Sequence, residues 1–162
     1  MNHMPIPETA APVTIINYTP AHAARFRELN QAWIEHYFEM EELDFKSLGD
    51  PDGYIIAKGG HIFMAEYQGE IVGTCALIRV DDHTYELAKM AVDDQAQGLK
   101  IGKRLGEAAI QKARELGAST LMLLSNRKLE TALHLYHKLG FVEVPDELKE
   151  YKRADIKMEL AL

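Results

Sequence analysis

The segment Gln97-Gly98-Leu99-Lys100-Ile101-Gly102-Lys103-Arg104-Leu105 places two glycines and three cations where a turn leads into an amphipathic stretch. The first amides of a helix have no partner inside it, and the helix dipole favours an anion at that end. Glycine removes the Cβ and lets a phosphate approach the backbone. Lys100, Lys103 and Arg104 crowd the helix end where exposed cations are disfavoured by roughly 0.3–1 kcal/mol each. A bound polyanion turns that penalty into attraction. The segment therefore reads as a phosphate cradle, and the alternative is a solvated basic turn with chance glycines. It is no P-loop: three residues, not four, separate Gly98 from Gly102-Lys103, and Arg104 stands where Ser or Thr belongs. A G-x-G-x-x-G dinucleotide fingerprint after the first strand is absent.

Two further side chains could do acid–base chemistry. Tyr136 shares a helix face with Leu129, Leu133 and Leu139, so its ring should point inward. Spacing alone favours a buried tyrosine with a satisfied hydroxyl. Glu86 alternates along a strand with Ala88, Met90 and Val92, which puts its carboxylate on their face. Partial burial there would raise its pKa; the alternative is a strand-edge carboxylate in water. Glu35, Glu39, Glu41, Glu42 and Asp44 form an acidic run that could be a solvated face. Asp93 and Asp94 read as loop-solvating residues, His134 and His137 as surface histidines.

Cys75 is the single cysteine. It excludes an internal disulfide and a cysteine metal cage, and no metal site is expected. Its place in the apolar run Gly73–Ile78 reads as core packing in a reducing cytoplasm, not as a nucleophile.

The elements that must position these groups follow from periodicity. Val13–Tyr18 reads as a strand, and Thr19-Pro20 opens a helix with Phe26, Leu29, Trp33 and Tyr37 on its apolar face. Asp50-Pro51-Asp52-Gly53 breaks the chain. His61–Tyr67 and Glu70–Val80 flank Gln68-Gly69 as a hairpin, and Thr84–Val92 continues the meander. A helix over Leu99–Leu116 buries Ile101, Leu105, Ala108, Ala109, Ala113 and Leu116, and Gly117 stops it. Ser119–Leu124 is a doubly covered strand. Ser125-Asn126 caps a helix over Arg127–Leu139, and Phe141–Val144 and Asp155–Leu162 close the chain. The order β-α-α-β-β-β-α-β-α-β-β is a mixed α+β (α/β) sheet protein.

With 162 residues, 47% hydrophobic and 27% charged, one domain over 13–162 is expected, behind a disordered leader at 1–12. The leader does not read as a secretory signal, and no apolar run is long enough for a membrane span. A net charge of −7 argues against nucleic-acid and anionic-membrane partners and suits a cationic small molecule or peptide.

Three stretches resemble the GNAT superfamily of N-acetyltransferases: Glu86–Val92, the cradle at Gln97–Gly102, and Leu123-Leu124-Ser125-Asn126 through Leu135-Tyr136-His137-Lys138-Leu139-Gly140-Phe141. The family loop is Q/R-x-x-G-x-G/A; Gln97 and Gly102 match it, Gly98 and Ile101 are common in it, and Lys100 replaces its middle glycine. The likeness is nearest to bacterial members of the kind sometimes fused to MarR-type regulators, here without a DNA-binding domain. The resemblance implies a central sheet splayed between Thr84–Val92 and Ser119–Leu124, with acetyl-CoA wedged in the gap. It implies pantetheine contacts at Met90, Ala91 and Val92, and the diphosphate on Gln97, Gly98, Leu99, Lys100, Ile101, Gly102 and Lys103. Asn126 would touch the CoA arm or simply cap its helix. Tyr136 falls at the family's acid, and Glu86 at the position some members use as base where others use ordered water. The implied reaction is attack of a primary amine on the thioester, with a small-molecule or peptide acceptor and, in many members, a homodimer. The acidic run borders the implied acceptor site and could select a cationic amine. The alternative function is a non-catalytic acyl-CoA-binding or regulatory module.

Overall fold

The computed structural model describes residues 12–146 and 150–162. The expected leader lies outside these residues as far as Ala11. Strands β1 (Thr14–Asn17), β2 (His61–Tyr67), β3 (Glu70–Arg79), β4 (Thr84–Val92), β5 (Thr120–Ser125), β6 (Val142–Val144) and β7 (Ile156–Ala161) form one mixed sheet in the order β1-β2-β3-β4-β5-β7-β6. Helices α1 (Ala23–Tyr37) and α2 (Glu42–Gly49) follow β1; α3 (Ile101–Glu115) and α4 (Glu130–Leu139) flank β5. The order of elements is the one the sequence implies.

The decisive feature is the β4–β5 junction. These strands are parallel and pair only where Thr84–Glu86 meets Thr120–Met122. Beyond Glu86 the edge of β4 facing β5 has no strand partner. The two strands diverge, and β7 takes up the other side of β5 along its whole length. The splay leaves backbone donors and acceptors of β4 open in the middle of the sheet, where unpaired groups need a partner.

Apolar layers cover both faces. Leu105, Ala109 and Ala113 of α3 pack with Cys75, Leu77 and Leu87 on one side. Phe26 and Ile34 of α1 and Leu48 of α2 pack with Ile62, Met64 and Ala76 on the other. Val72 to Leu77 of β3 is buried throughout, as a central strand should be. Burying each large side chain contributes roughly 1.5–3 kcal/mol. Two glycines set helix positions. A Cβ on Gly73 would lie 2.8 Å from Ile101 Cγ2, so this glycine seats the start of α3 on the sheet. A Cβ on Gly106 would lie 2.7 Å from Leu139 Cδ1, so this one draws α4 against α3. The β2–β3 hairpin turns on Gln68 (φ 52°) and Gly69 (φ 80°), the double left-handed turn that matches strand twist.

Some expected boundaries move. α3 begins at Ile101, not Leu99, because Lys100 takes a left-handed conformation (φ 58°) that no helix can include. α4 begins at Glu130, not Arg127. The Asn126 side chain accepts the Lys128 N–H (2.9 Å) and Asp155 accepts that of Arg127 (2.8 Å), which holds this segment in a turn. Asn126 therefore does not cap the helix. Tyr37 and Leu116, expected on buried faces, are exposed at the last turn of α1 and the end of α3. Among the described residues no helix is long and apolar enough to cross a membrane.

Candidate active site

The splay opens into a groove of about 750 Å³ between β4, the start of α3 and the outer face of α4. Its floor includes Met90, Ala91 and Val92; its mouth includes Gln97, Gly98, Lys100, Ile101, Gly102 and Lys103. Every backbone N–H from Gly98 to Lys103 lacks a hydrogen-bond partner among the described residues, the first return bond being Arg104 N–H to the Lys100 carbonyl (3.1 Å). Gly98 (φ 85°) and Lys100 (φ 58°) both bend left-handed. Lys100 thus holds a conformation that favours glycine, at a cost of about 1 kcal/mol. No heavy atom would meet a Cβ on Gly98 within 4 Å, and the nearest to one on Gly102 is Leu135 at 3.4 Å. The glycines therefore leave room for a ligand to approach the backbone here. Lys128, His134 and Lys138 of the α4 side join Lys100 and Lys103 along the groove. Such a concave run of free amides with cations around it fits a diphosphate.

The other predicted residues of this segment turn elsewhere. Leu99 packs against the core below α3. Arg104 donates to the Val13 carbonyl at the entry to β1 and is not part of the groove.

A second, smaller cavity of about 100 Å³ lies on the α1 side of the splay, lined among others by Asn30, Trp33, Phe38, Glu86, Asn126 and Tyr151. Met90 and Tyr136 line both cavities and so stand at their junction. Tyr136 is half-buried, its ring edge-on to Phe141 (6.1 Å), and its hydroxyl makes no hydrogen bond among the described residues. Burial, with the nearby Cys75 thiol adding to it, pushes its pKa up to about 12. Such a group stays fully protonated at neutral pH, as a proton donor must before transfer.

Glu86 lines the smaller cavity and not the groove. Burial raises its pKa to about 7; Glu150 adds to the rise, and Lys89 and Lys157 oppose it. It has no hydrogen bond or ion pair among the described residues. The expected alternation of Glu86 with Met90 and Val92 fails. Glu86 sits opposite Ile78, on the α1 side. Met90 and Val92 pack on the α3 side instead. The register slips between Thr74 and Ala76 of β3, and Lys89 takes φ 54°. This bulge inserts one residue and reverses the parity of everything after it.

Asn126 likewise lines only the smaller cavity; its Nδ2 donates to the Arg153 carbonyl (2.7 Å). The acidic run divides. Glu35, Glu39 and Glu42 are exposed, whereas Asp44 is fully buried and binds Lys89 (2.9 Å) and both terminal nitrogens of Arg153. Glu41 accepts from the Lys152 and Arg153 amides. Asp44 and Glu41 are thus occupied within the chain. Asp93, expected to be solvated, pairs with Arg25 (2.9 Å). Cys75 is buried core, its thiol pushed up to about 12 by burial.

The profile of the Acetyltransferase (GNAT) family matches residues 23–141. The chain belongs to the GNAT acetyltransferase family. An N-acetylaspartate synthetase from Danio rerio is 36% identical over 107 residues, covering 64% of this chain and 37% of that protein. The chain spans about a third to two thirds of the length of the curated relatives it matches. A GNAT acetyltransferase from Staphylococcus aureus superposes with a TM-score of 0.82 at 24% identity, over 92% of this chain and 98% of that one. An acetyltransferase from Salmonella typhimurium, solved with its cofactor acetyl-CoA, gives 0.74 at 20% identity, over 92% and 93%. These structures share the GNAT fold.

Sequence reasoning missed Lys89, Tyr151, Arg153 and Asn30 at this GNAT site. Lys89 looked like a strand residue, and nothing in its spacing marks a bulge. Tyr151 and Arg153 lie in a polar stretch without periodicity. Asn30 lies four residues after Phe26 and next to Leu29 in the helical run, and that place beside the apolar face was the available signal.

Proposed function

We propose that this GNAT chain transfers the acetyl group of acetyl-CoA directly to a primary amine, with Tyr136 as general acid and Glu86 as base. The supporting observation is the unbonded run of amides at Gly98–Lys103, opening on a groove that meets a separate cavity at Tyr136 and Met90. In this reading the diphosphate lies on those amides and the thioester reaches the junction. The acceptor comes from the other side, past Glu86.

An alkylammonium in water loses its proton only near pH ~10.4, so at neutral pH it must be deprotonated before it attacks. Glu86, held near 7, is a stronger base than an ordinary carboxylate and is still ionised in a good fraction of molecules at neutral pH, so it can accept that proton. Backbone N–H at Met90 to Val92, left open by the splay, steadies the negative charge that grows on the thioester oxygen. Tyr136 then gives its proton to the departing sulfur. The cytoplasm suits the lone thiol of Cys75.

A non-catalytic acyl-CoA module is less favoured, because the hydroxyl of Tyr136 stands at the junction with no hydrogen-bond partner among the described residues. Release of free CoA thiol across a panel of primary amines separates the two. Turnover that falls sharply in Tyr136→Phe supports the enzyme; a chain that binds acetyl-CoA yet turns over no amine supports the module.

A further inference from the structure

Lys89 is the point where the strand most needs an explanation. It is a non-glycine residue with φ 54° in the middle of β4, a conformation that L side chains rarely hold. Yet its side chain is only 5% exposed and does not reach for solvent. Its ammonium donates to Asp44 Oδ1 (2.9 Å) and to the Tyr151 hydroxyl (3.2 Å). Asp44, fully buried at the start of α2, also grips Arg153, and Glu41 fixes the backbone at Lys152 and Arg153. The Asp44 carboxylate is further held by the Glu41 amide (2.8 Å). Three distant parts of the chain therefore converge on the bulge: α2, β4 and the segment before β7. The anchored residue immediately precedes Met90, which stands at the junction of groove and cavity.

We infer that the buried Asp44–Lys89–Arg153 cluster is a positioning device that holds the β4 bulge open, and that it sets the reach of the Met90 backbone toward the reacting thioester. Without the anchor, residue 89 relaxes toward ordinary extended φ. The register between β3 and β4 then becomes continuous, and Met90 and Val92 rotate off the groove face. Lys89, Asp44 and Arg153 touch no reacting atom in this scheme. They act through the backbone of the residues that do. The inference rests on the acetyl-transfer reading for its kinetic consequence, but its structural content concerns the strand alone.

The test compares Lys89→Ala with Lys89→Gly in the full chain. Both remove the ammonium. Only glycine adopts φ near +54° without strain. Lys89→Ala should lower kcat about 10- to 100-fold for the best amine, with the acetyl-CoA Kd within about threefold of wild type, because the amides of Gly98–Lys103 are elsewhere. Lys89→Gly should recover most of kcat. Asp44→Asn should fall between them and be rescued by adding Lys89→Gly. Hydrogen exchange across 84–92 gives a readout independent of turnover: faster in Lys89→Ala than in Lys89→Gly. If alanine does not fold and glycine folds and works, the device is upheld. Equal behaviour of alanine and glycine, whether both active, both slow or both unfolded, overturns it. A wild-type chain that turns over no amine removes the function reading, and the exchange comparison then decides the structural claim.

Discussion

Glu86 and Met90 lie on opposite faces of one strand, although four residues apart they should share a face. Lys89 between them takes a left-handed turn, and the register with β3 slips at that point. Glu86 is left in the small cavity on the α1 side while Met90 reaches the groove on the α3 side. In the proposed reaction, one strand would thereby offer a proton acceptor to the smaller cavity and an oxyanion donor to the groove.

Tyr136→Phe removes only the hydroxyl, and the ring keeps its edge contact with Phe141. General acid catalysis contributes about 10²–10⁴-fold, so kcat should fall by that order. The acetyl-CoA Kd and the thermal midpoint should stay near wild type. Stopped-flow thiol release beside a thermal melt checks both. Unchanged kcat would remove Tyr136 from the chemistry.

Glu86 predicts a pH profile. Its pKa is raised to about 7 chiefly by burial, so the base form fills in as pH rises through that value. kcat/KM should therefore climb through pH ~7 and Glu86→Gln should lose that limb together with about 10- to 100-fold in rate. The same shift has a stability sign. Between its unfolded pKa and about 7 the folded state binds the extra proton, so deprotonating Glu86 costs stability as pH rises, and Glu86→Gln should melt higher at pH 8. A profile identical in the two proteins would assign the proton to water.

Asp44 predicts the opposite behaviour in acid. Burial alone would raise its pKa, but the Arg153 hydrogen bonds and the Lys89 charge overcome it and hold the carboxyl down at about 2. Its contribution is complete above the usual carboxylate range and is lost as pH falls from about 4 toward 2. Asp44→Asn should melt lower than wild type at pH 7, and the gap should narrow in acid. A gap that stays constant down to pH 2 would contradict this.

Much of this was legible in the chain and some was not, for physical reasons. The Gln68-Gly69 hairpin, the β-α-β crossovers and the buried stripe of α3 are local or strongly periodic, and periodicity reports them directly. The unusual start of α3 was legible because glycines and cations at a helix start conflict with ordinary helix preferences. The bulge was not: its left-handed residue, Lys89, pairs with Asp44, 45 residues away in sequence, and no local pattern reports such a contact. Asp44 looked like one more acid in an exposed run, since only tertiary packing separates it from Glu42. The start of α4 was misjudged because Asp155, 28 residues away, captures the Arg127 amide.

Lys100 offers a test of the loop itself. Its left-handed φ suits glycine, so Lys100→Gly should stabilise the free protein by roughly 0.5–1 kcal/mol. Lys100→Val, β-branched and intolerant of that φ, should lower the melting midpoint and weaken acetyl-CoA at once. A denaturation series on the two variants reads the difference.

The most direct measurement is isothermal titration of the intact chain with acetyl-CoA, beside CoA lacking its phosphates. Saturable one-to-one binding of acetyl-CoA, markedly weakened when the phosphates are removed and in Lys100→Val, is the predicted result. No heat of binding with acetyl-CoA, or equal affinity without the phosphates, would contradict a diphosphate held by the amides of Gly98–Lys103.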